Sequence, residues 1–152
     1  MTVGIKDKFI QIIIDTREKL PWTFSDLKVK SAKLDCGDYS IAGRELEIAI
    51  ERKKSVSELA GNITKQHFWD AMERLSKISS PYFICEFSEV DIATYPRGPN
   101  GLPKHLWKRV RVKPAFIFSS LNKIAEMGIT VILTDDNISA QEIAESILLC
   151  IK

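Results

Sequence analysis

Between Gly37 and Lys53 polar and apolar side chains alternate on both sides of one turn signal, Gly43-Arg44, and this segment constrains the fold more than any other. A two-residue turn there pairs Ala42 with Glu45 and Asp38 with Ala49. In that register Tyr39, Ile41, Leu46, Ile48 and Ile50 line one face, the apolar surface that a core requires. Asp38, Ser40, Glu47, Ala49, Glu51 and Lys53 line the other. Glu51 is then the diagonal neighbour of Asp38, about 7–8 Å away at the backbone. Any half-exposed antiparallel sheet has this alternation, and an acid beside a lysine is usually a solvated ion pair. The surrounding residues have to decide what the polar face does.

Ahead of the hairpin, Phe9 to Ile14 is a short β-branched run ending at Asp15, the pattern of a buried strand that stops at a charged edge. Asp15-Thr16-Arg17-Glu18 opens the next loop, and Lys28 to Leu34 reads as another strand. Past the hairpin, Ser55 or Ser57 caps a helix entering Glu58-Leu59-Ala60, and Phe68, Ala71, Met72, Leu75 and Ile78 recur at helical spacing in a second. Pro81 closes that segment, Tyr82 to Phe87 is a strand, and a long loop is expected from Ser88 to about Pro114. Ala115 to Met127 reads as a helix ended by Gly128, and Thr130 to Thr134 as a strand. Ser139 to Glu142 is a capping box opening the last helix. Strands alternating with helices imply parallel pairing and the hairpin antiparallel pairing. The expected fold is therefore α/β, a mixed β-sheet flanked by helices on both faces, in a single domain over residues 1–152.

A chain of 152 residues suits one core, and its 45% hydrophobic and 28% charged content is that of a globular domain. No stretch approaches the roughly 18 apolar residues of a membrane span. The first eight residues lack the apolar centre of a secretory signal, so an intracellular setting is expected: cytoplasm, nucleoid or nucleus, depending on the organism. Cys36, Cys85 and Cys150 are odd in number and far apart, which fits neither a disulfide framework nor paired zinc ligands, and they read as reduced thiols. A net charge of +2 does not by itself point to nucleic acid. Its distribution is uneven, because Arg97, Lys104, Lys108, Arg109, Arg111 and Lys113 follow one another with His105 and Trp107 among them and no acid. Such a run is either a phosphate-binding loop or a flexible solvated one.

On the polar face of the hairpin, two carboxylates as close as Asp38 and Glu51 repel, and one shared divalent cation would remove that cost. Hard oxygen ligands with no nearby His or Cys favour Mg²⁺ or Mn²⁺ over zinc. Lys53, two residues past Glu51 on the same face, is placed to orient an attacking water or to neutralise an anionic oxygen. Arg52 points to the opposite face, although its backbone lies beside the site.

Read in order, Ile12-Ile13-Ile14-Asp15-Thr16-Arg17-Glu18, Gly37-Asp38-Tyr39 and Ile50-Glu51-Arg52-Lys53 resemble the nuclease domain of the XPF-type structure-specific endonuclease family. The similarity continues through Glu73-Arg74-Leu75, Tyr82-Phe83-Ile84-Cys85-Glu86 and Ile129 to Asp135, so nearly the whole chain is covered. The resemblance implies a restriction-endonuclease-like fold that uses Mg²⁺ or Mn²⁺ to hydrolyse phosphodiesters in branched, flapped or nicked duplex DNA. It implies that Asp38, Glu51 and Lys53 are catalytic, with Arg52 in the same motif. It further implies that Asp15 joins Asp38 and Glu51 as a metal ligand and that Arg17 and Glu18 lie near the DNA. Related domains pair through this fold, so a homodimer or heterodimer is expected. The apolar stripe Ile138, Ile143, Ile147, Leu148 and Ile151 fits such pairing and fits burial in the domain's own core equally well.

Three departures from the family pattern bear on function. The family's aspartate three residues past the motif lysine has no counterpart, since Ser57 and Glu58 stand there. His67 and Ala71 occupy places where an arginine and a glutamine are usual, so His67 either faces DNA or is an ordinary half-buried histidine. No tandem helix-hairpin-helix module is read in these residues, which leaves Lys104, Lys108, Arg109 and Arg111 as the candidate phosphate contacts. The competing reading is a non-catalytic DNA-binding or dimerisation module of the same fold. A glycosidase would also use two carboxylates, but has no need of the lysine or the basic run.

Overall fold

The computed structural model describes residues 10–151, so Phe9 lies outside the described residues. Six strands form one mixed sheet: β1 (Gln11–Asp15), β2 (Lys28–Ala32), β3 (Tyr39–Ile41), β4 (Ile48–Lys53), β5 (Ser80–Cys85) and β6 (Thr130–Leu133), in the spatial order β2-β1-β3-β4-β5-β6. β1 runs parallel to β2, β3 is antiparallel to both β1 and β4, and β4, β5 and β6 are mutually parallel. Five helices connect and cover them: α1 (Val56–Asn62), α2 (Gln66–Ser76), α3 (Glu89–Thr94), α4 (Pro114–Glu126) and α5 (Asn137–Leu149).

Two apolar clusters sandwich the sheet, as parallel strands buried on both faces require. On one side Ala49, Phe83 and Cys85 meet Leu59, Phe68, Met72, Leu75, Ile92, Ile117 and Ile124 from α1 to α4. On the other, Ile12, Tyr39, Ile48, Ile50 and Ile84 pack against Trp22, Phe24 and the Ala140, Ala144 and Leu148 face of α5. The expected mixed sheet with helices on both faces is therefore present. Leu148 of the α5 stripe is fully buried in this second core, while Ile138 is 68% exposed.

The hairpin register differs from the expected one. Tyr39 pairs with Ile50, a slip of two residues, because Ala42 to Glu47 form a six-residue connection in place of a two-residue turn. The Arg44 amide donates to the Ile41 carbonyl, the Glu47 and Ile48 amides donate to the Arg44 carbonyl, and Gly43 takes a φ of +80°. Leu46 consequently leaves the apolar face and is 80% exposed. An even slip preserves side-chain parity. The polar face is also covered, since Ser40 and Ala49 are both fully buried.

Other boundaries shift for local reasons. α2 ends at Ser76, and Pro81 is the second residue of β5, near the strand start where a missing amide is tolerated. The expected loop from Ser88 to Pro114 contains α3, whose Ser88 and Asp91 form a reciprocal capping box, and a 3-10 helix over Lys104–Arg109. α5 is capped by Asp136, which accepts from the Ser139 amide at 2.8 Å, so Ser139 sits inside the first turn and is not the cap. Cys36, Cys85 and Cys150 are free thiols. Among the described residues no helix is long and apolar enough to cross a membrane.

Candidate active site

The ends of β1 and β4 and the entry to β3 meet at one edge of the sheet, where a cleft of about 330 Å³ opens. Its wall is formed by Arg17, Glu18, Lys19, Asp38, Glu51, Arg52, Lys53, Lys54 and Glu58. Asp38 is fixed from both ends: its amide donates to the Ile50 carbonyl and its carboxylate accepts the Arg52 amide, each at 2.8 Å. Lys53 lies 3.3 Å from Glu51 Oε1 and 3.4 Å from Glu58 Oε1, with its ammonium over the Phe68 ring.

Glu58 reaches this position because Ser55 caps α1, accepting the Glu58 amide at 3.1 Å. The Glu58 carboxylate also accepts from the Lys54 amide. Of the two residues left open by the sequence, Glu58 lines the cleft; Ser57 lies outside its wall.

The electrostatics are those of a site with excess negative charge. Burial, and then the neighbouring Glu51 charge, push the Asp38 carboxyl up to about 8. Burial likewise raises Glu51 against the pull of Lys53. For Lys53 burial opposes the charge, but Glu51, Glu58 and Asp38 outweigh it and hold the ammonium above its ordinary value. Lys53 is therefore a permanent cation at neutral pH. As a cation it can hold an anion or orient a water.

Asp15 adjoins this cluster through the backbone, its amide donating to the Asp38 carbonyl at 2.8 Å. Its carboxylate accepts Arg17 Nε and the Leu34 amide, both at 2.8 Å, and its side chain is 2% exposed. Burial raises its pKa, but Arg17 and the two backbone amides more than offset that and hold it below the ordinary value. Asp15 thus anchors Arg17, whose own side chain is 68% exposed at the cleft. The Arg52 guanidinium lies on the far face, bonding Glu86 at 3.1 and 3.2 Å, the Leu20 carbonyl at 2.9 Å and the Tyr39 hydroxyl at 3.3 Å. Its contribution to the cleft is the amide that holds Asp38.

The fit to a divalent cation rests on the donors. Asp38, Glu51 and Glu58 are hard oxygen groups lining one cleft, and Glu18 Oε2, 3.7 Å from the Arg52 guanidinium, is buried without a hydrogen-bond partner. Among the described residues no three His, Cys, Asp or Glu side chains converge to cage an ion. Mg²⁺ needs no such cage, since it is typically held by one or two carboxylates and keeps several waters. The residues present fit it.

The basic run lies beyond α1. Leu102, Val110 and Val112 pack on the first core, and Arg97 stacks over Trp107, so the segment is anchored. Lys104, Lys108, Arg109 and Arg111 are exposed, and a second cleft separates Arg109 and Arg111 from Ser57, Ala60 and Thr64 of the α1 region. His67 is exposed at the start of α2 and does not line the Asp38 and Glu51 cleft. Sequence reading passed over Lys19 and Lys54, because alternation assigns Lys54 to the Arg52 face. Nothing local signals that Lys54 Nζ bonds the Lys19 carbonyl.

One linkage follows. With Asp38 titrating near 8 in the folded, metal-free protein and at 3.8 when unfolded, the folded state binds the extra proton between those values. Stability of the metal-free protein is therefore expected to fall as pH rises from about 4 to 8, whereas Asp38→Asn removes this slope. Thermal melts in chelator from pH 5 to 9 check it, and parallel curves for the two proteins would refute the assignment.

The fold is an α/β domain whose cleft gathers Asp38, Glu51, Lys53 and Glu58. The ERCC4 domain model matches residues 14–147, and the chain belongs to the ERCC4 domain family, a family of structure-specific nucleases. Among solved structures it resembles XPF from Aeropyrum pernix, with a TM-score of 0.66 and 20% identity. It also resembles XPF from Aeropyrum pernix in complex with DNA, with a TM-score of 0.67 and 20% identity. Each likeness covers 91% of this chain and 63% of the other, so the chain spans less than two thirds of those proteins. No curated protein matches it in a sequence search.

Proposed function

We propose that the chain is a metal-dependent endonuclease that hydrolyses a phosphodiester in branched, flapped or otherwise irregular duplex DNA. The observation that carries this reading is the Asp38 and Glu51 pair, half-buried, mutually repelling and set beside a permanently charged Lys53. A divalent cation held by Asp38 and Glu51 would supply a water of lowered pKa and stabilise the developing negative charge. Lys53 holds its charge where a phosphate oxygen gains density, and Glu51 with Glu58 fixes the ammonium in place. The Arg52 amide keeps Asp38 aimed into the cleft. Arg17, Lys19 and Lys54 form a cationic rim for the phosphate backbone, and Lys104, Lys108, Arg109 and Arg111 extend it. Asp15 contributes as the anchor of Arg17.

Self-association is part of the same reading, supported by Phe116 and Ile138, which leave apolar surface uncovered at 47% and 68% exposure. A dimer mass in sedimentation supports it, and a monomer at tens of micromolar removes it.

The test is incubation of the protein with labelled flapped, nicked and continuous duplexes in Mg²⁺, in Mn²⁺ and in chelator. Cutting of the irregular DNA in either metal, abolished by chelator, is expected. DNA binding without cutting in both metals would favour a non-catalytic module instead.

A further inference from the structure

Leu20 is the most exposed large apolar residue among those described, at 84%, and it has a left-handed backbone with φ +51°. A non-glycine residue there carries a conformational cost that persists only where the surroundings over-determine it. Here they do. The Leu20 carbonyl accepts the buried Arg52 guanidinium at 2.9 Å, and Lys54 Nζ holds the preceding Lys19 carbonyl. Pro21 follows, and then Trp22, 2% exposed, donates its indole to Glu86 at 2.6 Å and its amide to the Tyr39 hydroxyl at 2.9 Å. Every one of these anchors except Pro21 bears on a group within or directly behind the catalytic motif. Lys19 itself lines the cleft with Asp38, Glu51 and Lys53. The arrangement is an uncharged, exposed tip held in a fixed pose next in sequence to Lys19 of the cleft wall.

Resting on the nuclease reading above, we propose that Leu20 is a specificity-determining residue that covers the bare face of the base pair left unstacked where the duplex is interrupted. A continuous duplex has no such face, because every base is covered by its neighbours. A flap or branch exposes one, and an aliphatic side chain held in a fixed pose removes that apolar surface from water without an ordering cost at the moment of binding. Apolar side chains that meet base faces in this way are a general device of DNA-bending and unstacking proteins. Cationic Lys19 and Lys54 beside it supply the phosphate contact that brings the tip to the junction.

The experiment compares wild type with Leu20→Ala, Leu20→Trp and Leu20→Gly, using a flapped duplex carrying 2-aminopurine at the base pair flanking the flap and a continuous duplex of the same length. Cleavage is followed in Mn²⁺, and fluorescence and anisotropy in chelator. Leu20→Ala is expected to lower kcat/KM on the flapped substrate roughly tenfold, to abolish the 2-aminopurine change on binding, and to leave affinity for the continuous duplex unaltered. Leu20→Trp restores the preference, since an aromatic ring also covers a base. Leu20→Gly raises Tm by relieving the backbone while losing selectivity with Leu20→Ala. Wild-type cutting and fluorescence in Leu20→Ala overturn the proposal and leave the nuclease reading intact. Wild type that neither binds nor cuts flapped DNA overturns both.

Discussion

Lys53→Met is expected to slow single-turnover cleavage of a flapped duplex about 10²- to 10³-fold while changing DNA affinity only a few-fold. Methionine keeps the aliphatic stem that packs beside Phe68 and removes the charge, and because Glu51 and Glu58 then lose their cation, a thermal melt of the variant accompanies the rate measurement. The loss is that of one preorganised cation facing developing negative charge, which mutagenesis of comparable donors puts at this size. Because Glu51, Glu58 and Asp38 hold the ammonium above its ordinary value, the ratio of wild-type to variant rate should stay constant from about pH 7 to pH 9. Cleavage at the wild-type rate would remove Lys53 from the chemistry. A ratio that closes as the pH rises would show that the wild-type lysine loses its proton in that range, contrary to the charge balance around it.

Arg52→Met should be the most destabilising single change near the site, at about 3–5 kcal/mol. The guanidinium side chain is 2% exposed and lies over the Trp22 ring at 4.8 Å. Its removal leaves Glu86, 6% exposed, without its cation and Glu18, 7% exposed, without the neighbour at 3.7 Å. For a domain of this length the cost corresponds to a Tm lowered by roughly 10 °C or more. Adding Glu86→Gln should return part of the loss, because the amide oxygen still accepts the Trp22 indole and no charge is stranded. Denaturant unfolding of the single and double variants measures this. A single variant within about 1 kcal/mol of wild type would contradict the structural role assigned to Arg52.

These two residues mark the limits of what the sequence made legible. Period-two alternation placed Asp38, Glu51 and Lys53 on one face and Arg52 on the other, and that assignment survives because the hairpin slipped by an even number of residues. The slip itself was hidden, since Gly43-Arg44 is a turn signal whether the connection has two residues or six. α2 was visible in its apolar spacing, and α1, α4 and α5 in their start and stop signals, whereas the Ser88-x-x-Asp91 capping signal of α3 was absorbed into a long loop. What periodicity does not carry is pairing at a distance. Asp15 is spent on the Leu34 amide, 19 residues on, and Arg52 on Glu86, 34 residues on. Glu58 became the neighbour of Lys53 only because the Ser55 cap fixes where α1 begins.

The charge balance also explains why the site is costly to keep. Two half-buried acids whose ionisation burial resists are poor for stability and suited to holding a cation, the usual trade between a strained site and a stable fold. The rest of the cleft limits that cost: Lys53 neutralises part of the charge, and Lys54 reaches Glu18 at 3.4 Å.

The most direct measurement is single-turnover cleavage of one flapped duplex by wild type and Asp38→Asn across a Mn²⁺ titration. Wild type should cut with a saturable dependence on the metal, whereas Asp38→Asn, with folding checked by circular dichroism and DNA binding by anisotropy, should give no detectable product at any Mn²⁺ concentration. Equal rates with the same metal midpoint in the two proteins would contradict the claim that Asp38 and Glu51 hold the cation that makes this cleft a nuclease.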